Sequence, residues 1–351
     1  MKKIFVLTAL CLAALFANAG IHGDSDYHYK YSDERVIEKS FEMEALPNLE
    51  MQGKYSDFII TAWDEPMIDF KVKITVKSDK ESTVKTLMNI IDVELNQQDN
   101  TVKAKTVFTD KTNRSFNASI SIKYYVKVPK DVLMDLETKY GDITIDEVRE
   151  KLKATVKYGD LKADNILIDD KSKNDVEVKY GNIIIDNVNS ISVVLTYGDA
   201  KINKCKNIDG TITYSKIYIS ELNTGKLDNK YSTTRIESAD DLDFGSTAYS
   251  DLKIKKVTNS IEAYLKYSDL SVSVTSQTPK VTIDGAYSDA KVRLNPDAMF
   301  DYNLHSSYGD ISFIGFFDTE SIKGVGHLGE GERGLLDITV KYGDVDISKI
   351  K

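Results

Sequence analysis

The chain has 351 residues, of which 55 are acidic and 46 are Lys or Arg, giving a formal net charge of −9. This acidity argues against nucleic acid and anionic lipid as partners, because both require a basic protein surface. Basic surfaces and divalent cations are compatible with the charge, although charge alone selects neither.

The segment 1–19 has the features of a secretory signal peptide. Lys2 and Lys3 precede an almost unbroken apolar run over residues 4–16, and Ala17 and Ala19 supply the small residues of a cleavage site. The run is too short to span ~30 Å of hydrocarbon, and no transmembrane segment is predicted after cleavage. Cleavage takes the net charge to −11, because it removes two lysines and no acid. The protein is therefore predicted to be exported, to the periplasm or to the cell surface.

Neither cysteine is predicted to carry a lipid or to form an intramolecular disulfide. Cys11 is a poor candidate for lipidation, because Thr8-Ala9-Leu10 does not resemble a lipobox. Cleavage leaves Cys205 alone, so no intramolecular disulfide is expected. Cys205 is predicted to pack as a small hydrophobic residue.

Residues 20–44 are predicted to form an N-terminal tail with a strand, and residues 45–135 a β-rich head. The head is expected to cover the end of a repeat region, because an open sheet edge recruits other strands. Lys80–Ile91 is predicted to be a helix, since Val84, Leu87 and Met88 recur at helical spacing. Alternating apolar residues predict the strands 40–44, 58–62, 70–76, 93–95, 101–108 and 118–128.

Between residues 136 and 351 a tyrosine recurs, followed by Gly or Ser and usually by Asp. Successive tyrosines from Tyr140 to Tyr308 are 17 to 22 residues apart, and 34 residues that include a glycine-rich stretch precede Tyr342. Looser or upstream copies begin at Tyr31, Tyr55, Tyr214 and Tyr231. The repeated turns are Tyr140-Gly141-Asp142, Tyr158-Gly159-Asp160, Tyr180-Gly181-Asn182, Tyr197-Gly198-Asp199, Tyr249-Ser250-Asp251, Tyr267-Ser268-Asp269, Tyr287-Ser288-Asp289, Tyr308-Gly309-Asp310 and Tyr342-Gly343-Asp344.

Apolar residues alternate on both sides of each turn, as at Val176 and Val178 before Tyr180 and at Ile183 and Ile185 after it. A period of two predicts a strand, a corner and a second strand in each unit. A unit this short cannot bury its apolar face alone, so the units must stack, each pairing in parallel with the next. We predict an all-β, single-chain parallel β-helix or solenoid over residues 136–351. The parallel-crossover preference favours a right-handed coil, and the β-rich N-terminal cap contains one short helix.

The corner residues are predicted to be structural. Glycine would permit unusual dihedral angles, and Ser or Asp would bind freed backbone groups. Alternation after Val178 and Val340 places the tyrosines on the inward side, where they would form an aromatic ladder. An exposed platform for glycans or a protein partner is the alternative. A neighbouring lysine column is expected to offset repulsion between stacked carboxylates, and it comprises Lys139, Lys157, Lys179, Lys230, Lys266 and Lys341.

At these residues the chain resembles a bacterial family of domains of unknown function labelled putative adhesin, whose rungs carry a Tyr/Asn-Gly-Asp-Ile/Val corner. That family often has a Tyr-x-Val-x-Val-Pro segment before the main solenoid, for which Tyr125-Val-Lys-Val-Pro129 is the nearest match. The resemblance covers about residues 45–351 and implies an architecture without an activity. Lys216 and Thr233 stand where the family has Asp, which indicates that the Asp is structural and dispensable in some turns.

No catalytic, cofactor or metal site is predicted. Calcium-binding β-rolls supply several oxygens per ion, whereas this repeat offers one Asp per rung with lysine nearby. His22, Asp24, Asp26 and His28 are typical of a mobile polar tail, and His305 and His327 have no partner at ligand spacing. Gly324-Val-Gly326-His-Leu-Gly329 matches a dinucleotide fingerprint by letter, but a loop is expected because no helix should follow.

These observations predict an exported, non-enzymatic solenoid with a structural or adhesin-like binding role at the bacterial envelope or surface. Its partner is unknown, and a glycan or a protein ligand would suit it. A periplasmic accessory in envelope-stress signalling remains an alternative. A polysaccharide-active β-helix enzyme is the third hypothesis, although no acid pair and no Ser/His/Asp set can be named for it.

Overall fold

The computed structural model describes residues 28–109, 116–168, 174–316 and 324–350. The predicted signal peptide and His22, Asp24 and Asp26 lie outside the described residues. The helix α1 spans Glu81–Ile90. The strands are β1 Tyr31–Glu42, β2 Asn48–Lys54, β3 Ser56–Trp63, β4 Met67–Ser78, β5 Ile91–Gln98, β6 Thr101–Phe108, β7 Ala118–Pro129, β8 Leu133–Lys139, β9 Ile143–Val148, β10 Leu152–Lys157, β11 Leu161–Ile166, β12 Asn174–Lys179, β13 Ile183–Thr196, β14 Asp199–Thr213, β15 Lys216–Lys230, β16 Thr233–Ala248, β17 Asp251–Lys266, β18 Asp269–Val274, β19 Lys280–Ala286, β20 Ala290–Leu294, β21 Phe300–Ser307, β22 Ile311–Ile314, β23 Gly324–Leu328, β24 Gly334–Lys341 and β25 Val345–Lys349.

The strands belong to one long, open, mostly parallel sheet. This confirms the all-β prediction and is compatible with a solenoid. Alternation sets the packing in each strand: in β12, Val176 and Val178 are buried while Glu177 points outward. Because side chains alternate across a strand, one face of every rung joins a shared apolar core. Within the described residues, no helix is long and apolar enough to cross a membrane.

Two strand columns run along the molecule. The first column contains the strands that precede the Tyr turns, such as β8, β10 and β12. The second contains those that follow the turns, such as β9, β11 and the start of β13. From β13 to β17 a single long strand serves both columns, and each pairs in parallel with the next. All the Tyr turns therefore lie along one edge between the two columns.

The N-terminal strands depart from the parallel pattern. β4 pairs antiparallel with β1 and β7, and β5 pairs antiparallel with β6. β2 and β3 join this region to the rungs through β8 and β9. Helix α1 buries Val84, Leu87 and Met88, as the helical spacing predicted. The predicted strands between residues 58 and 128 all lie within β3–β7, whereas Tyr31 lies within β1 rather than at a turn.

The last rungs are not stacked in chain order. β24 lies between β19 and β21, and β25 lies between β20 and β22. The segment 334–349 is thus inserted between two rungs that precede it in the sequence, so the expectation that each rung follows its predecessor is wrong here. The cause is β23, which turns back antiparallel along the outer side of β21.

The prediction of a loop at the glycine-rich segment 324–329 is also wrong, because this segment contains strand β23. A Cβ atom at Gly326 would lie 2.3 Å from the Tyr302 hydroxyl oxygen. Glycine therefore allows β23 to cross the Tyr302 ring closely.

Candidate functional site: the tyrosine ladder

Twelve tyrosine rings stack along one edge of the molecule and form what we term the tyrosine ladder. Neighbouring ring centroids are 4.8–5.3 Å apart and the ring planes lie within 19° of parallel. The separation matches the spacing of paired strands, because each ring occupies the same position in its rung. In spatial order the ladder is Tyr55, Tyr140, Tyr158, Tyr180, Tyr197, Tyr214, Tyr231, Tyr249, Tyr267, Tyr287, Tyr342 and Tyr308.

The tyrosines point away from the core, so their inward placement by alternation is wrong. Each ladder tyrosine has a φ between 50° and 62°, in the left-handed region that residues other than glycine rarely adopt. This dihedral interrupts the two-residue alternation at the corner and turns the ring outward. Most rings are 36% to 50% exposed, and Tyr308 at the end of the ladder is 77% exposed.

The prediction that glycine supplies the unusual dihedral angles of the turn is wrong, because the tyrosine and not the glycine adopts the left-handed conformation. A Cβ atom on Gly159 would lie 2.0 Å from the Gly141 carbonyl oxygen, and one on Gly181 would lie 1.8 Å from that of Gly159. Such distances are far inside van der Waals contact, so any side chain would push the rungs apart. The same close approach recurs at Gly198, Gly309 and Gly343.

The backbone N–H that follows each of these glycines is accepted by the Asp or Asn side chain of a neighbouring rung. The Asp142 Oδ1 atom accepts the Asp160 backbone N–H at 2.8 Å, and Asp160 Oδ1 accepts that of Asn182 at 2.7 Å. Asn182 continues the series through Asp199, at 3.0 Å. Near the other end, Asp344 Oδ1 accepts the Asp310 N–H at 2.9 Å. Each carboxylate in this series therefore has a donor, which offsets its negative charge.

The serine turns are closed by another hydrogen-bond pattern. The Ser232 hydroxyl donates to the Lys230 carbonyl oxygen at 2.8 Å and accepts the Ser215 N–H at 3.3 Å. The N–H of Thr233, which an Asp would accept in a glycine turn, donates to the Ser215 carbonyl oxygen at 3.0 Å. An Asp side chain is therefore unnecessary there, which explains Lys216 and Thr233. Ser250, Ser268 and Ser288 repeat the pattern.

The lysine column contacts the rings as well as solvent. The Lys139 Nζ atom lies 4.9 Å from the Tyr140 ring centroid and 5.9 Å from that of Tyr158. Lys230 and Lys341 lie over Tyr231 and Tyr342 at 5.7 and 5.3 Å. A cation over an aromatic face contributes about 0.5–1 kcal/mol at an exposed site. These lysines therefore help to hold the rings as well as balancing charge.

A buried polar network under the first turn was missed by the sequence analysis. The Ser56 hydroxyl lies 2.9 Å from that of Thr106, which lies 2.7 Å from the Tyr124 hydroxyl. All three side chains are buried, and burial raises the pKa of Tyr124 to about 12. Only the apolar alternation of β7, which puts Tyr124 inward, could have indicated this network.

The ladder offers ring edges and phenol hydroxyls rather than open ring faces, because stacking covers the faces. Among the described residues, no group of three or more His, Cys, Asp or Glu side chains is placed to hold a metal ion. Cys205 is buried, and burial raises the pKa of its thiol to about 12, so it remains protonated at neutral pH. The described site is thus a rigid surface feature.

Fold and ladder together define a long, mostly parallel β-sheet protein with a continuous aromatic edge. No known family profile and no curated protein matches the chain. Among solved structures, it is similar to a putative cell adhesion protein from Clostridium sporogenes at 10% identity, over 91% of this chain and 100% of that one, with a TM-score of 0.18.

Two proteins from Parabacteroides distasonis are similar at the same level. One is a putative adhesin at 12% identity, over 89% of this chain and 97% of that one, with a TM-score of 0.24. The other is a putative lipid binding protein at 12% identity, over 90% of this chain and 97% of that one, with a TM-score of 0.26. Similarities at this level assign no function to this chain.

Proposed function

We propose that this protein is an exported, non-enzymatic β-solenoid rod with a structural or adhesin-like binding role at the bacterial envelope. Residues 1–19 serve as the signal peptide, residues 136–351 form the rod, and its coil is right-handed. The observation that carries the proposal is the unbroken tyrosine ladder. In each rung the corner residues are committed to contacts with neighbouring rungs, which is what a stiff spacer or display scaffold requires.

Residues 45–135, together with β1, act in this proposal as the cap of the rod. The supporting contacts bridge the ends of the two strand columns. The Arg35 guanidinium donates to the Ile91 carbonyl oxygen, and the Lys39 ammonium donates to that of Leu95 at 2.7 Å. Charged side chains placed along an edge in this way hinder the addition of another strand. The Phe108 ring also covers the outer side of Tyr55, with its centroid 6.1 Å away.

Protease added to intact cells tests the proposed location, with a known periplasmic protein as the control. Cleavage of this protein while the control stays intact supports an adhesin-like role at the surface. Protection until the outer envelope is opened rejects that role and directs crosslinking towards an envelope-stress partner. A product that retains residues 1–19 on mass spectrometry would contradict the signal-peptide assignment.

A further inference from the structure

The outward side of β4 and β7 is basic, although the whole chain is acidic. Its outward positions include five lysines and one carboxylate, Asp69. The strand register places Lys73 opposite Lys123 and Lys71 opposite Tyr125. Directly opposed side chains on one sheet face have Cβ atoms about 5 Å apart. We term this surface the lysine face, and it comprises Lys71, Lys73, Lys77, Lys123, Tyr125 and Lys127.

Part of this positive charge is unpaired within the described chain. Lys71 and Lys73 bind Glu38 and Glu34 on β1, at 3.0 and 2.7 Å. Among the described residues, Lys77, Lys123 and Lys127 have no carboxylate within 4.0 Å, and all three are exposed. Like charges opposite each other, as at Lys73 and Lys123, destabilise a sheet. The register also places Asp69 opposite Lys127 and Asp57 opposite Lys123. No ion pair joins either carboxylate to its lysine in the described chain, so both ammonium groups are available to a ligand.

The lysine face also contains an aromatic and an apolar side chain. Tyr125 is 41% exposed and lies between Lys71 on β4 and Ile59 on β3. These residues and Lys127 line an open groove on the sheet. Lys127 is held over the Trp63 ring, with its Nζ atom 5.1 Å from the centroid. Cations beside an amphipathic ring suit a ligand that has both anionic groups and apolar C–H faces.

The spacing of the cations indicates an extended ligand. Lys123 and Lys127 are four residues apart on one strand, which corresponds to about 13 Å. A single small anion cannot contact both ammonium groups together with Tyr125.

We propose that the lysine face binds an acidic, uronate-bearing polysaccharide, with Lys123 and Lys127 binding carboxylates and Tyr125 packing on a sugar ring. This inference rests on the proposed binding role and gives it a partner class. Polygalacturonate is a suitable probe, since its methyl ester keeps the backbone and removes the charge. The chain from residue 20 should bind polygalacturonate in titration calorimetry, lose affinity as salt rises, and bind the methyl ester much more weakly.

Matched variants locate the site. K123Q/K127Q should weaken polygalacturonate binding about tenfold, whereas K201Q/K291Q, on exposed positions of β14 and β20, should leave it unchanged. Circular dichroism and the urea unfolding midpoint should be the same for both variants and the wild type.

Four results would overturn the inference. They are no binding of polygalacturonate, equal binding of its methyl ester, an unchanged affinity in K123Q/K127Q, or tighter binding of single-stranded DNA or phosphatidylglycerol vesicles. The protease experiment tests the exported role separately. If the protein lies at the cell surface but does not bind polygalacturonate, the proposed role of the lysine face is rejected and the proposed exported role is not.

Discussion

The glycine turns and the serine turns form the same corner with different hydrogen bonds. Both place a left-handed tyrosine at the corner and stack its ring on the next. In the glycine turns around Gly159 and Gly181, rungs approach so closely that a Cβ atom cannot fit, and the following Asp accepts the next backbone N–H. In the serine turns from Ser215 to Ser288, each hydroxyl accepts the N–H of the second corner residue of the neighbouring rung, and the N–H of the third residue, as at Thr233 and Asp251, donates to a backbone carbonyl oxygen.

The difference teaches that the second corner residue of one rung works as a pair with the third corner residue of its neighbour. The N–H that follows a glycine is accepted by the Asp or Asn of the neighbouring rung, even where that Asp itself follows a serine, as at Asp57 and Asp289. A serine releases the third position of the neighbouring rung, which then holds Lys216, Thr233 or an Asp such as Asp251. The repeat is thus constrained by backbone N–H groups that must be paired when buried, and four substitutions test this.

The largest effect is expected at the glycine. G181A would place a methyl group 1.8 Å from the Gly159 carbonyl oxygen, so the rungs must separate or the backbone must shift. We expect a loss of about 3 kcal/mol in the free energy of unfolding, measured by urea denaturation. If G181A unfolds at the wild-type urea concentration, the close approach of the rungs is not what requires glycine.

A smaller loss is expected from S250A. It removes the acceptor of the Ser232 N–H, at 3.1 Å, and the donor to the Ala248 carbonyl oxygen, at 2.9 Å. Leaving a buried backbone donor unpaired costs about 1–3 kcal/mol. Hydrogen exchange should show faster exchange at Ser232 than in the wild type, and S250T, which keeps the hydroxyl, should restore protection. Unchanged exchange at Ser232 in S250A would contradict the role of the hydroxyl.

The smallest effect separates the two turn types directly. D160A removes an acceptor used by both the backbone N–H and the side-chain amide of Asn182, at 2.7 and 3.1 Å, and should cost about 1 kcal/mol. D251A changes the equivalent position of a serine turn, where the N–H that Asp251 would accept, that of Asp269, already donates to the Ser250 carbonyl oxygen. Its expected cost in urea denaturation is near zero. Equal losses in both variants would remove the distinction between the turn types.

The sequence predicted the elements that depend on local pattern. Alternation identified the strands, and the spacing of Val84, Leu87 and Met88 identified α1. The direction of the tyrosine rings could not be predicted by extending that alternation, since one left-handed residue resets it. The need for glycine at the close approach of two rungs could not be predicted either, because it depends on the carbonyl oxygen of another rung.

The order of the last rungs could not be predicted from the sequence, for a different reason. The 34 residues between Tyr308 and Tyr342 show that the period breaks, but both rungs have the same alternation and the same corner. Either rung would fit against the rung of Tyr287. Only the path of β23 along β21, a contact between strands rather than a property of one strand, selects the order.

The inserted rung has a consequence for how the stack of rungs forms as the chain is synthesised. A solenoid whose rungs follow the chain can grow one rung at a time behind the emerging polypeptide. Here the rung of residues 300–314 reaches its final neighbours only when residues 334–349 are present to lie beneath it. Asp289 and Asp344, joined by a 2.9 Å hydrogen bond, are 55 residues apart in the chain. Such non-local closure is slow compared with local contacts, so we expect the docking of residues 334–349 to be slower than the addition of a rung that follows its predecessor in the chain.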